Sequence, residues 1–250
     1  MQDTWSVVTI ATIVMAFLAG GFVKGVIGLG MPTVALAVLA SVLGLREALP
    51  FLIVPIIVTN LAQFLWGGDV RPVLRRFWLM NACTLATVWA GTAVLFAFDP
   101  LVLSGVLGAI ICVYVAYNLA ARELTIRPAA ERWLAVPVGL LTGLMTGMTG
   151  SSVVPLIPYI HSLGMDRDTL VRALAFAFLS SSIALGLALA GHGAFGVETL
   201  TFSVLALIPS FAGMYAGQHA RGRMSERAFR AVFYVGLVIL GANLVRKGFF

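Results

Sequence analysis

The chain has 250 residues, of which 60% are apolar and only 10% are charged. Its mean hydropathy of +1.02 leaves too little polar sequence to cover a water-soluble protein, and its charged residues fall between long apolar runs. We therefore predict an all-α, polytopic membrane protein. The net charge of +6 is not concentrated in a basic cluster with interleaved aromatic residues, so we do not expect a nucleic-acid partner.

Hydropathy and charge divide the chain into ten apolar segments. They lie at about 5–28, 31–44, 47–66, 77–98 and 101–120 in the first half, and at about 133–149, 151–163, 168–190, 199–219 and 228–246 in the second. A bilayer span needs about 20 helical residues, which the segments at 31–44 and 151–163 do not reach. Each short segment either forms a re-entrant or broken hairpin with its predecessor, which we favour, or crosses as a short span. We predict one membrane domain, 1–250, with repeats at about 5–121 and 132–250.

The two halves contain the same glycine-rich motif. Residues 21–28 read Gly-Phe-Val-Lys-Gly-Val-Ile-Gly, and residues 143–150, which lie 122 positions later, read Gly-Leu-Met-Thr-Gly-Met-Thr-Gly. Each copy is followed by a proline, Pro32 or Pro155, and the same offset aligns Gly91 with Gly213. The pattern indicates a duplication. A repeated glycine-rich break in apolar sequence is typical of the binding site of a transporter.

The basic residues predict the orientation, because Lys and Arg accumulate in cytoplasmic loops. Twelve arginines fall inside if the loops at 69–76, 122–132, 164–172 and 221–230 are cytoplasmic. Only Arg46, Arg246 and Lys247 then lie outside. Corresponding loops of the two halves carry opposite charge, and each half has an odd number of segments. We therefore predict two inverted repeats and a multi-pass protein of a bacterial-type inner membrane, with both termini outside.

Inverted repeats would bring the two glycine-rich tips together near the bilayer midplane. Gly28 and Gly30 allow close approach of the backbone, and Pro32 falls in the first turn of the next helix. In the second copy, hydroxyl groups at 149, 151 and 152 precede another predicted helix start. Two helix N-termini that converge on one cavity favour an anion.

Lys24 is the only basic residue well inside an apolar segment. An ionisable group at that depth costs at least about 2.5 kcal/mol unless it has a partner or water. The carboxylates fall at termini or loops in this topology, so we expect a bound anion to be its main partner. The alternative is a lysine that snorkels to the interface from a tilted first span.

Other polar residues in the apolar segments are compatible with the same cavity, although interhelical packing would also explain them. The predicted substrate-binding residues are Lys24, Gly25, Gly28, Gly30, Thr33, Asn60, Gln63, Gly147, Thr149, Gly150, Ser151, Ser152 and Ser181. Gly213 and Gly217 form a small-residue face that we assign to helix packing. Cys83, Cys112 and the histidines show neither metal-ligand spacing nor a catalytic pairing, so we predict no metal, no cofactor and no enzyme activity.

The segment Gly-Phe-Val-Lys-Gly-Val-Ile-Gly-Leu-Gly-Met-Pro at 21–32, with its second glycine-rich copy, resembles the TauE/SafE family of sulfite and organosulfonate exporters over essentially the whole chain. The resemblance implies a permease of two repeats that moves sulfur oxyanions, by our expectation through alternating access. A passive anion channel or a carrier of another small anion is the alternative. A membrane-embedded enzyme or a purely structural subunit has less support. Expected partners are a small anion and the lipid bilayer, and a homo-oligomer is left open.

Overall fold

The computed structural model describes residues 7–28, 30–66, 68–120, 125–221 and 225–250. Three residues of the predicted features, Leu29, Arg122 and Arg223, lie outside these ranges, as does the start of the first apolar segment. The described chain forms eleven helices and no strand. They are α1 (Val7–Ile27), α2 (Met31–Leu43), α3 (Leu45–Leu65), α4 (Arg71–Ala97), α5 (Pro100–Ala120), α6 (Pro128–Thr149), α7 (Leu156–His161), α8 (Arg167–Gly191), α9 (Val197–Leu205), α10 (Leu207–Arg221) and α11 (Glu226–Phe249).

Each predicted apolar segment contains a helix, but several helices begin earlier than predicted. α4 starts at Arg71 rather than at 77, and α6 starts at Pro128 rather than at 133. Both starts have a proline in the first turn, where its missing N–H is not needed. Hydropathy falls at the arginines, whereas the helix continues past the apolar run. Much of the predicted basic loops is therefore the first turn or two of a helix.

The segment predicted at 199–219 is divided into two helices. α9 ends at Leu205, and α10 begins at Leu207. Pro209 explains the break, because its nitrogen cannot donate to the Leu205 carbonyl and its ring collides with that group. At the second short segment the helix α7 has six residues, fewer than the 151–163 predicted, and it follows Pro155.

The described helices fall into two compact units, and each unit combines helices from both halves of the chain. The first contains α1, α2, the part of α3 up to Pro55, α5 up to Val115, and α9 to α11. The second contains α3 from Ile56, α4, the end of α5, and α6 to α8. The consecutive repeats at about 5–121 and 132–250 stay a prediction.

In the first unit, α1 and α10 are parallel and touch through glycines. A Cβ at Gly21 would overlap the carbonyl of Ser210, and one at Gly25 would overlap the carbonyl of Met214. Contacts therefore advance in the same direction along both helices. Gly217 lies against α1 in the same way, as does Gly213. The packing role predicted for these two glycines is confirmed.

The second unit contains a similar parallel pair, α4 and α6. Here Gly143 lies against the Thr84 carbonyl, and Gly147 lies against the Val88 carbonyl and Gly91. Gly147 thus faces Gly91 as Gly25 faces Gly217. By these contacts Gly91 is equivalent to Gly217, which lies 126 positions later (217 − 91) and one helical turn beyond the predicted offset of 122. A fixed offset assumed equal spacing in both halves, and the divided α9–α10 region does not keep it.

The first unit also shows how a proline within α3 is accommodated. Pro55 has no N–H to offer the carbonyl of Phe51, four residues earlier. The hydroxyl of Ser203, on α9, donates to that carbonyl at 2.9 Å. Ser203 is fully buried, so its hydrogen bond supplies the donor that the Phe51 carbonyl lacks at a place that water does not reach.

Candidate functional site

The first candidate group lies in the first unit, where α1 ends and α2 begins. Gly28 and Gly30 have φ angles of +94° and +101°, which residues with a side chain rarely adopt, and Gly30 caps α2. Pro32 lies in the first turn of α2, as predicted. Thr33 is buried beside it. The partly positive N-terminus of a 13-residue helix therefore follows the glycine segment directly.

Lys24 lies in the last turn of α1, and the Gly28 N–H donates to its carbonyl at 2.8 Å. Its side chain is 4% exposed, and it is the only buried charged side chain in the part of the chain that the structure describes. A snorkelling lysine would keep its ammonium group in the interface, so this burial disfavours that alternative. Burying an ammonium group costs several kcal/mol unless other groups compensate, and Lys24 does interact within the protein. The first unit thus holds a buried cation one turn from a glycine-rich helix start.

The second candidate group is a set of hydroxyls in the second unit, at the end of α6. Ser152 Oγ lies 2.7 Å from Thr146 Oγ1 and 3.3 Å from Ser181 Oγ on α8. The N–H of Ser151 donates to Thr149 Oγ1 at 3.3 Å. All five residues are buried. The structure thus brings Thr149, Ser151, Ser152 and Ser181 together, and their assignment to substrate binding stays a prediction.

The proton count leaves one hydroxyl of this group able to change its acceptor. Thr146 also donates to the Thr142 carbonyl at 2.7 Å, so Ser152 must donate to Thr146. The single proton of Ser181 then has two acceptors, Ser152 Oγ at 3.3 Å and the Phe178 carbonyl at 3.2 Å. Both are long for an O–H donor. This proton could turn to a ligand oxygen at small cost.

Two further hydroxyls in the same region have no hydrogen-bond partner among the described residues. They belong to Ser151 and Thr142, and both side chains are buried. A buried polar atom left unsatisfied costs about 1–3 kcal/mol. An acceptor such as an oxyanion would relieve that cost. The turn that carries Ser151 begins at Gly150, whose φ of +71° ends α6.

The buried polar residues that the predicted site list lacks include Thr142, Thr146 and Asn81. Thr142 and Thr146 share one face of α6 with Thr149, at the i, i+4, i+7 spacing of a helix, and this spacing could have identified them. Asn81 on α4 is also buried, and its Oδ1 has no partner within the described ranges. The sequence around Asn81 contains no comparable signal.

Gly25 and Gly147 are among the predicted substrate-binding residues, and their positions are explained by packing. Both lie in the parallel helix contacts described above, where a neighbouring helix backbone occupies the space of a Cβ. A role for them in binding stays a prediction. Their observed role is to hold Lys24 and Thr146, the residues just before them, on tightly packed helices.

Asn60 and Gln63 lie on the part of α3 that belongs to the second unit. Asn60 is buried, and its Nδ2 donates to the Ile56 carbonyl at 2.9 Å. Gln63 is half-buried. Both make further interactions within the protein. Their assignment to the substrate path stays a prediction.

Each group by itself suits an anion better than a metal ion: the first provides a buried cation and a helix N-terminus, and the second provides hydroxyl donors. No group of three His, Cys, Asp or Glu side chains that could hold a metal occurs among the described residues. Cys83 and Cys112 are free thiols.

The fold and these groups define a polytopic α-helical membrane protein, since seven helical stretches are long and apolar enough to cross a bilayer. The particular family follows from comparison with known proteins. The model of the sulfite exporter TauE/SafE family matches residues 12–244, and the chain belongs to that family. No curated protein and no solved structure matches it. The family is one of membrane transporters.

Proposed function

We propose that this protein is a permease that exports a small sulfur-containing anion, sulfite or an organosulfonate, by alternating access. Membership of the exporter family supports the class of substrate. The observation that carries the proposal is Lys24, a lysine buried in a candidate membrane span at 4% exposure. A buried cation in a membrane protein marks an ion or substrate path by default.

Each of the two groups of residues has the chemistry to bind the anion. Lys24 would supply charge, and the start of α2 after Gly30 would add the positive end of its dipole. The hydroxyls of Ser151, Ser152 and Ser181 would replace hydrogen bonds that the anion makes with water. Glycines with positive φ at the ends of α1 and α6 would let the backbone approach it.

Inverted repeats remain part of the proposal. The parallel pairs α1–α10 and α4–α6, with matching glycine contacts, support a duplication in which each unit draws helices from both halves. An inverted arrangement would also account for the opposite charge of corresponding loops. We propose an inner-membrane location with both termini outside.

Export of an anion needs no coupling ion when the cell interior is negative. A membrane potential of about 100 mV favours exit of one negative charge by about 2.3 kcal/mol. That energy corresponds to roughly a fifty-fold concentration ratio. A dianion would gain about twice this energy.

Counterflow in liposomes tests the proposal. The purified protein would be reconstituted and the exchange of radiolabelled sulfite measured, with sulfoacetate, taurine, sulfate and acetate as competitors. The informative variant is Lys24→Met, and Lys247→Met is the matched control, because Lys247 is exposed and its ammonium donates to the Ser41 carbonyl at 2.8 Å. We expect saturable exchange that is competed by sulfonates, reduced in Lys24→Met and retained in Lys247→Met.

Each other outcome has a distinct meaning. Exchange that depends on Lys24 but is competed by acetate and not by sulfonates would replace the substrate class with another small anion. Flux without saturation or counterflow would favour a passive channel. Equal exchange in the two lysine variants would remove Lys24 from the mechanism.

A further inference from the structure

A second polar feature lies in the second unit, between the first turns of α4 and α6 and away from the hydroxyl group at the end of α6. It is a cavity of about 350 Å³, within the size range of small-molecule sites. Charged and aromatic side chains dominate its lining: Arg75, Arg76, Trp78, Glu131, Arg132 and Tyr159. The proposed transport function uses none of them.

The cavity has an excess of positive charge. Arg76 is paired with Glu131 through two hydrogen bonds of 2.6 and 2.8 Å, which form a salt bridge. This pairing neutralises one of the three arginines, and Arg75 and Arg132 leave the lining with two positive charges. α4 and α6 are parallel, so the positive ends of both helix dipoles also lie here. The cavity therefore favours an anion with more than one acceptor oxygen.

Contacts among the lining residues order one wall of the cavity. The Tyr159 hydroxyl donates to the Glu131 carbonyl at 2.9 Å. The Arg76 guanidinium lies over the Phe77 ring at 5.5 Å, in addition to its pairing with Glu131. These contacts keep both carboxylate oxygens of Glu131 on Arg76. The carboxylate is therefore not free to form an equivalent two-bond pair with Arg75 or Arg132.

The position of the cavity along α4 indicates that its ligand is part of the bilayer. α4 has 27 residues, about 40 Å of helix against a hydrocarbon core of about 30 Å, so its first turns reach the headgroup region. Trp78 and Leu74 are 57% and 37% exposed on these turns. Tryptophan is enriched at that depth in membrane proteins, and an exposed leucine beside it suits an acyl chain. The arginine-rich ends of the helices are assigned to the cytoplasmic leaflet, whose lipids carry negative charge.

We propose that this cavity binds the phosphate of an anionic phospholipid headgroup, with Arg75 and Arg132 as its charged contacts. Basic pockets between membrane helices on the cytoplasmic side are suited to such headgroups. Arg76 and Glu131 form part of the wall of the pocket and, as a neutral pair, do not add to its net charge. The site is independent of the transported substrate.

Lipid retention measured by native mass spectrometry tests this proposal. Detergent-solubilised protein would be titrated with phosphatidylglycerol and, separately, with phosphatidylcholine, and inorganic phosphate would be added as a competitor. The test variant is Arg75→Gln with Arg132→Gln, which leaves the Arg76–Glu131 pair intact. The control is Arg167→Gln with Arg221→Gln, which removes the same charge from exposed helix ends outside the cavity. Thermal unfolding in phosphatidylcholine would confirm that both double variants fold.

We expect wild type to prefer phosphatidylglycerol. Each arginine near an anionic headgroup contributes about fivefold in affinity, so the test variant should bind about thirty-fold more weakly. The control should match wild type, and millimolar phosphate should not displace the lipid. Equal weakening in both double variants would mean general surface attraction and would overturn the proposal. Displacement by inorganic phosphate would show a site for a free anion, and equal binding of the two lipids would show no headgroup site.

Discussion

Replacing Gly143 with alanine tests whether backbone contact holds the α4–α6 pair together. A Cβ at Gly143 would overlap the Thr84 carbonyl and the Thr87 hydroxyl, so α6 would have to move away from α4. Gly236, inside α11, has open space around its Cβ position. Gly236→Ala is therefore a matched control, the same chemical change in a helix without the overlap.

The expected energies have opposite signs at the two positions. Alanine is better than glycine within a helix by about 1 kcal/mol, so Gly236→Ala should stabilise by up to that amount. At Gly143 the same gain is opposed by overpacking of about 1–3 kcal/mol. Separation of the helices would also stretch the bonds from Thr84 to the Gly139 carbonyl and from Thr87 to the Leu140 carbonyl, now 3.1 and 2.8 Å, each worth about 0.6 kcal/mol. The net loss for Gly143→Ala is about 1–3 kcal/mol.

Equilibrium unfolding in mixed micelles of a mild detergent and SDS would measure this difference. Wild type, Gly143→Ala and Gly236→Ala would be compared under one lipid and detergent condition. Gly21→Ala provides the counterpart in the first unit, where the added Cβ would overlap the Ser210 carbonyl, and it should also destabilise. If Gly143→Ala were as stable as Gly236→Ala, the close parallel packing of α4 and α6 would be refuted.

Two further predictions concern groups outside the candidate site. Ser203→Ala removes the donor to the Phe51 carbonyl and should lower the free energy of unfolding by about 1 kcal/mol. Pro55→Ala restores a backbone N–H for that carbonyl, so the cost of Ser203→Ala should be smaller in that background. Equal costs in the two backgrounds would contradict the assignment. Hydrogen bonds from Thr169 lower the pKa of Asp166 below its usual 3.8. The resulting stabilisation is complete above the unfolded pKa and is lost as pH falls through the folded pKa. Asp166→Asn keeps a helix cap that does not titrate, so this variant should lose less stability than wild type on acidification below pH 3.8. Superimposable profiles of stability against pH for the two proteins would exclude a contribution from Asp166.

Hydropathy and charge were sufficient to locate the helices, because a chain in a bilayer must satisfy its backbone within each segment. They did not locate the helix starts at Arg71 and Pro128, since a helix continues into the headgroup region where arginine is tolerated. They also missed the break at Ala206. Pro209 was visible as a signal, but proline within membrane helices is common and does not by itself predict a division.

The sequence identified the residues of the duplicated motif but could not distinguish their roles. Gly25 and Gly28 look alike in the sequence, whereas the structure packs the first against α10 and gives the second a positive φ. Thr146 was overlooked because a threonine in a membrane helix usually bonds its own backbone. Its contact with Ser152 depends on how the chain turns after Gly150, which no local pattern encodes.

The duplicated motif combines one fixed framework with two different chemistries. Its first two glycines pack a helix against a parallel partner in each unit, and its last glycine turns the chain. The position directly before the second glycine is Lys24 in the first copy and Thr146 in the second, 122 residues later (146 − 24), and both side chains are buried. The framework therefore holds equivalent polar positions in both units, and only one of them is charged. An anion bound in the first unit would therefore meet a full positive charge, whereas one bound in the second unit would meet neutral hydroxyl donors, which hold an anion less strongly and release it more easily.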